Sequence, residues 1–126
     1  MDKKRVVVTG LGALTPIGNT LDAYWEGLIS GKSGSDFITY FDTEKFKTKF
    51  ACELKGFDAM DFFDRKEARK LDRFTQYALV SSDEAIVDSG LDLDAIDKFR
   101  VGVIWGAGIG GLETFQTEVL NFAQGD

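Results

Sequence analysis

Histidine is missing from the chain altogether. A Ser-His or Cys-His relay therefore cannot be assembled from these residues alone, and the commonest metal ligand is absent. Cysteine occurs once, at Cys52, which excludes a disulfide framework. The opening residues MDKKRVVVTG carry a basic end but only a short apolar run, broken at Gly10 and Gly12. They read as a poor signal peptide and a good first strand, and together with the lone cysteine they fit a reducing, cytoplasmic setting. No apolar run approaches the ~20 residues of a spanning helix, so membrane insertion is not expected. Positive charge is in deficit, with 15 Lys and Arg against 21 Asp and Glu. The resulting net charge of −6 argues against a general nucleic-acid binder, because a polyanion needs a broad positive field.

What remains is ample for one folded domain: 126 residues, 44% of them hydrophobic, with no linker, repeat or internal boundary. Arg5–Thr9 reads as a buried strand, since Val6, Val7 and Val8 are consecutive and β-branched. Pro16 and Gly18 mark a loop, after which Asn19 or Thr20 is placed to cap a helix. Its apolar face is Leu21, Tyr24, Trp25, Leu28 and Ile29, with Gly31 at a left-handed C-terminal cap. Lys32–Asp42 reads as loop. Phe46, Thr48, Phe50, Cys52 and Leu54 then alternate with more polar residues, as a half-exposed edge strand does. Cys52 falls on the apolar phase, which favours a packed structural role over a reactive thiol.

Asp64 with Glu67 three residues on forms a capping-box pattern. A long helix is expected from about Leu71 to Ser89, with Ala78, Ser82 and Ala85 on a stripe narrow enough for close packing and Gly90 ending it. Asp92–Lys98 reads as an acidic turn or short helix. A strand at Val101–Trp105, a glycine turn and a helix from Leu112 to about Gly125 complete the order. Two apolar strands with helical crossovers imply an α/β layer with a parallel sheet, here narrow and unfinished.

Three constellations carry possible chemistry. Gly106, Gly108 and Gly111 satisfy G-x-G-x-x-G between a strand and a helix, as a dinucleotide site does. The acidic residue such a site needs ~20 residues further on is not present, and a turn that only lets strand and helix approach remains the alternative. Arg65, Lys66, Arg69, Lys70 and Arg73 fall within an arc of about 140° if the segment is one helix. The patch is either a dock for an acidic partner or a solvated face neutralised by Asp64, Glu67 and Asp72. Asp92, Asp94, Asp97, Glu113 and Glu118 match neither a calcium loop nor an acid–base pair, and read as surface charge.

RVVVTGLGALTPIGNT, FDTEKFKTKFACEL, RKEARKLDRFTQYAL and VGVIWGAGIGGL together resemble, in register over nearly the whole chain, the opening of the β-ketoacyl-acyl carrier protein synthase II family, condensing enzymes of the thiolase superfamily. The resemblance implies a five-layered α-β-α-β-α thiolase-like fold, of which this chain supplies part of the first half, in a homodimer. It implies fatty-acid elongation by decarboxylative condensation of an acyl-cysteine thioester with malonyl-acyl carrier protein, without metal or other cofactor. The nucleophilic cysteine, two histidines and lysine of that family are expected beyond Asp126, so no catalytic residue is assigned here and the 126 residues alone are expected to be inactive. Arg65, Lys66, Arg69 and Lys70 match the docking surface for acyl carrier protein. Ile109, between Gly108 and Gly110, matches a residue lining the inner end of the acyl pocket near the dimer interface. Ala107 stands where the family usually has serine or threonine, and Trp105 is bulkier than usual. The alternatives are an NAD(P)-dependent Rossmann oxidoreductase, or a catalytically silent partner subunit resembling a chain-length factor.

Overall fold

The computed structural model describes residues 3–125. Contacts divide the chain into two compact units: Met1–Phe57 with Asp83–Leu91, and Asp58–Ser82 with Asp92–Asp126.

In the first unit, helix α1 spans Leu21–Ile29, and Thr20 caps it by accepting from the Ala23 amide through Oγ1 at 3.2 Å. The helix ends at Ser30, after which Gly31 turns the chain at φ +67°. Within α1, Gly27 is buried against the preceding loop, where a Cβ would stand 3.0 Å from the Ile17 carbonyl oxygen. That loop is pinched by paired backbone bonds between Thr15 and Gly18, of 2.9 and 3.2 Å. It lies on the last turns of the long helix α3, Arg73–Ser89. The Leu11 amide donates to Asp88 at 2.8 Å, and the Ala13 and Leu21 amides donate to the two carboxylate oxygens of Glu84, each at 2.7 Å. Gly10 is required at this crossing, since any Cβ there would lie 2.2 Å from the Ala85 carbonyl oxygen. The small-residue stripe read from the sequence therefore does receive a close neighbour at Ala85, and Ser89 one turn on shares the contact.

Strands β1, Asp36–Phe37, and β2, Phe50–Ala51, pair antiparallel with Asp36 opposite Ala51. This two-stranded ladder is the one sheet among the described residues. It corrects two expectations: β1 interrupts the stretch read as loop, and the strand expected over Phe46–Leu54 is reduced to two residues. The reason is a turn at its start, where the Phe46 amide donates to the Thr43 carbonyl and Lys49 Nζ reaches the Thr43 and Glu44 carbonyls. Cys52 lies just past the ladder and is exposed, not packed; the apolar side of this pair, including Phe37 and Phe50, has no cover.

Lys55 closes the hairpin by an ion pair to Asp36 at 2.8 Å. The hydrogen bond from Lys55, and then that from the Phe37 amide, hold the Asp36 carboxyl below its ordinary value of 3.8. Lowering in the folded state means that this contribution to stability is complete above the ordinary carboxylate range. It is lost as pH falls through the lowered folded value. An NMR titration should find the Asp36 midpoint below 3.8 and should find it raised in Lys55→Met. An unchanged midpoint in that variant would show that the ion pair is not formed in solution.

In the second unit, a single 3₁₀ turn at Ala59–Asp61 leads to α2, Arg65–Ala68. Asp64 Oδ1 accepts from the Lys66 and Glu67 amides at 2.8 Å, so the capping half of the predicted box is realised. The helix nevertheless stops after four residues. Gln76 Nε2 donates to the Ala68 and Leu71 carbonyls at 2.9 and 3.2 Å, taking up acceptors that a continuing helix would bond itself. Asp72 then starts α3, its carbonyl accepting from the Thr75 and Gln76 amides. Helix α4 covers Leu112–Gln124, entered through Gly111 at φ +76° and left through Gly125 at φ +82°. Gly90 likewise sits at φ +63° after α3.

Neither Arg5–Thr9 nor Val101–Trp105 forms a strand, and the parallel sheet expected from them is absent among the described residues. Val6 is 94% exposed, and Val103, Ile104 and Trp105 are exposed as well. A β-branched run becomes a strand only when a ladder satisfies its backbone groups and neighbours cover its faces. Neither run has a paired strand here. The acidic stretch before the second run forms a turn at Asp92–Ala95 and one 3₁₀ turn at Lys98–Arg100.

Candidate functional site

The basic segment and the glycine turn both belong to the second unit. Arg65 and Lys66 stand on α2, Arg69 is its C-terminal cap, Lys70 lies in the turn that follows, and Arg73 opens α3. The five residues are therefore not one face of one helix, which corrects the arc expected from a continuous helix. Gln76 and Asp72 break the helix between them. Arg65, Lys66, Arg69 and Lys70 are all exposed, and none makes a salt bridge among the described residues. Asp64, one of the acids expected to neutralise the patch, turns its Oδ1 to backbone amides instead. Arg73 differs from the other four: its Nη2 lies 3.5 Å from Glu113 Oε1.

The glycine turn runs from Gly106 to Gly111. Space beside Gly106 and Gly108 is open, whereas Gly110 faces the Phe74 ring, whose Cε1 would lie 2.7 Å from a Cβ built there. Ile109, between them, is 79% exposed. Gly111 supplies no side-chain cap to α4. Asp72 reaches this end from another part of the unit, accepting from the side-chain hydroxyl of Thr114 and lying 3.1 Å from the position of a Gly111 Cβ. A carboxylate this close to the helix end places a negative charge where an anion would have to approach. The fingerprint spacing is thus accompanied by a charge that disfavours a bound phosphate. Between the end of the basic segment and helix α4 runs an open groove of about 350 Å³, lined by Arg69, Asp72, Arg73, Gln76, Glu113 and Glu118 among others.

The contacts from Asp72 and Phe74 to the turn had no signal in the sequence. They join residues more than thirty apart, and Asp72 read only as a neutralising charge. The one trace was Thr114 in the first turn of a helix with no capping side chain of its own.

Similarity to known proteins places the chain among ketosynthases. A solved structure titled "The ishigamide ketosynthase/chain length factor" matches at a TM-score of 0.64 and 36% identity, covering 70% of this chain and 22% of the other. The 3-oxoacyl-[acyl-carrier-protein] synthase 2 of Synechocystis sp. is 48% identical over 118 residues, 94% of this chain and 28% of the relative. The protein of the same name from Staphylococcus aureus (strain COL) is 51% identical over 113 residues, and that from Vibrio cholerae 47% over 117. The fold class is α/β and thiolase-like. Residues 3–125 match the model described as beta-ketoacyl synthase, N-terminal domain, and the chain belongs to that family. It spans only 27% or 28% of the length of these relatives.

Proposed function

We propose that this chain is the N-terminal part of the first domain of a 3-oxoacyl-acyl carrier protein synthase of the elongating type, an acyltransferase that condenses an acyl-cysteine thioester with malonyl-acyl carrier protein. Identity of about half over 90% or more of the chain to synthases of that name carries this reading. In it, Arg65, Lys66, Arg69 and Lys70 dock the acidic carrier protein. Their exposure and lack of salt bridges suit them to that role. Ile109, with Gly108 and Gly110 beside it, lines the inner end of the acyl pocket. An apolar side chain of that bulk on a backbone without neighbouring Cβ atoms is suited to contact a hydrocarbon chain. The open Val6–Val8 and Val101–Trp105 runs are apolar segments to be covered in the assembled enzyme, which is a cytoplasmic homodimer. No helix among the described residues is long and apolar enough to cross a membrane.

The chain has no histidine to activate its single thiol, Cys52. The nucleophile and bases must come from elsewhere in the synthase. The test is a chimera in which residues 3–125 replace the matching segment of the Staphylococcus aureus relative. It should elongate acyl-acyl carrier protein with malonyl-acyl carrier protein, while the 126-residue chain alone shows no turnover. A folded chimera without activity, or turnover by the chain alone, would overturn the reading.

A further inference from the structure

Asp72, Arg73 and Phe74 follow directly on the basic segment, and all three reach the glycine turn or the first turn of α4. Thr114 Oγ1 donates to Asp72 Oδ1, Arg73 Nη2 lies 3.5 Å from Glu113 Oε1, and the Phe74 ring covers Gly110. Gly110 and Gly111 have no side chains with which to anchor themselves. Their position must be set from outside, and Ile109 is attached to them one residue upstream. Of the three contacts, that from Asp72 is the most directional: a carboxylate accepting from a hydroxyl at the end of a helix whose own cap residue contributes no side-chain bond. The Arg73–Glu113 pair is long and exposed, and such pairs fix little. The Phe74 ring is a contact of shape alone.

We propose that Asp72, through Thr114, is a positioning residue that fixes the glycine turn and with it Ile109, and so sets which acyl-chain lengths the synthase accepts. This rests on the assignment of Ile109 to the acyl pocket. Asp72 touches neither the carrier nor the acyl chain in this scheme. It lies two residues after Lys70, so the stretch that docks the carrier and the stretch that holds the pocket turn are continuous in the backbone.

The hydroxyl supplies a clean test, because valine matches threonine in shape without the donor and serine keeps the donor. In a full-length synthase carrying this segment, Thr114→Val should change the ratio of long to short acyl substrates used by roughly two- to thirtyfold. KM for the carrier-bound substrates should stay within about twofold, since charge docking is untouched. Thr114→Ser should keep the parent profile. Asp72→Ala should reproduce the valine variant, and the double variant should add nothing further, because both remove one bond. Should Asp72→Ala fail to fold, the Val and Ser pair at Thr114 still decides. A parent-like chain-length profile in Thr114→Val, alongside a changed one in Ile109→Ala, overturns the role of Asp72 and leaves the pocket assignment standing. A profile unchanged in Ile109→Ala as well removes the pocket assignment and this inference with it. A raised KM with an unchanged profile also overturns the inference, since the pair would then act through docking.

Discussion

Reversing charge at Lys66 and Arg69 together, as Lys66→Glu with Arg69→Glu, should lower kcat/KM for acyl carrier protein substrates by roughly ten- to a thousandfold at low salt. The two substitutions change the local charge by four in a six-residue segment holding four unpaired cations. The chain as a whole is acidic, at −6, so this patch is a reversal of sign that an acidic carrier would find. Glu67 within the segment and Asp64 at the cap of α2 offset part of it, neither in a salt bridge to the four cations among the described residues, and Glu113 is drawn to Arg73. The loss should shrink steeply as salt rises, because screening shortens the reach of exposed charges from about 10 Å at 0.1 M to about 3 Å at 1 M. Acyl donors without the carrier, such as a pantetheine thioester, should be used as well as by the parent. Kinetics unchanged at low salt, or an equal loss with the small donor, would remove the docking assignment.

The same segment shows what the sequence could and could not disclose. Spacing at 100° per residue gathers Arg65 to Arg73 onto one arc, but periodicity cannot see a glutamine side chain removing two carbonyls from the helix it would continue. Caps, by contrast, are local chemistry. Asp64, Gly31, Gly90 and Gly125 stand where the pattern put them, Thr20 is the one of the two offered caps that is used, and α1, α3 and α4 follow with ends correct to about two residues. Strands depend on partners remote in the chain. Val6–Val8 and Val101–Trp105 have the composition of buried strands and remain exposed without a ladder. Composition alone cannot say whether such a partner exists, since the residues that would form the ladder are not in the run itself.

Of the candidate site, the basic residues and the glycines were legible as composition, and their roles came only from the resemblance. The Asp72–Thr114 bond was not legible, since a threonine in a first helical turn has many possible partners. Its presence also decides between two readings of one motif. The G-x-G-x-x-G spacing allows a phosphate at the start of α4, and a carboxylate already standing there disfavours it.

Glu84→Ala should destabilise the first unit by about 3 kcal/mol, from two charge-assisted bonds to part-buried amides at ~1.5–3 kcal/mol each, less what water restores. Glu84 spans the loop and the helix that follows it: one oxygen accepts from Ala13, the buried apolar residue of this unit, and the other from Leu21 at the start of α1. Leu21 is the first helical residue, so its amide has no partner within α1, and Thr20 Oγ1 is already bonded to Ala23. A negative charge at that end also opposes the helix dipole favourably. Glu84→Gln should lose nearly as much, because the two amides bond different oxygens of Glu84 and the NH₂ group that replaces one of them would face an N–H. Asp88→Ala removes a comparable bond, to Leu11, but at an exposed site where water replaces it, and should cost less than ~1 kcal/mol. Urea unfolding of the three variants orders them, and hydrogen exchange at the Ala13 and Leu21 amides should quicken in Glu84→Ala. Equal midpoints for Glu84→Ala and Asp88→Ala would mean that the loop is held on α3 by the close approach of Gly10 to Ala85, with the carboxylate contributing nothing of its own.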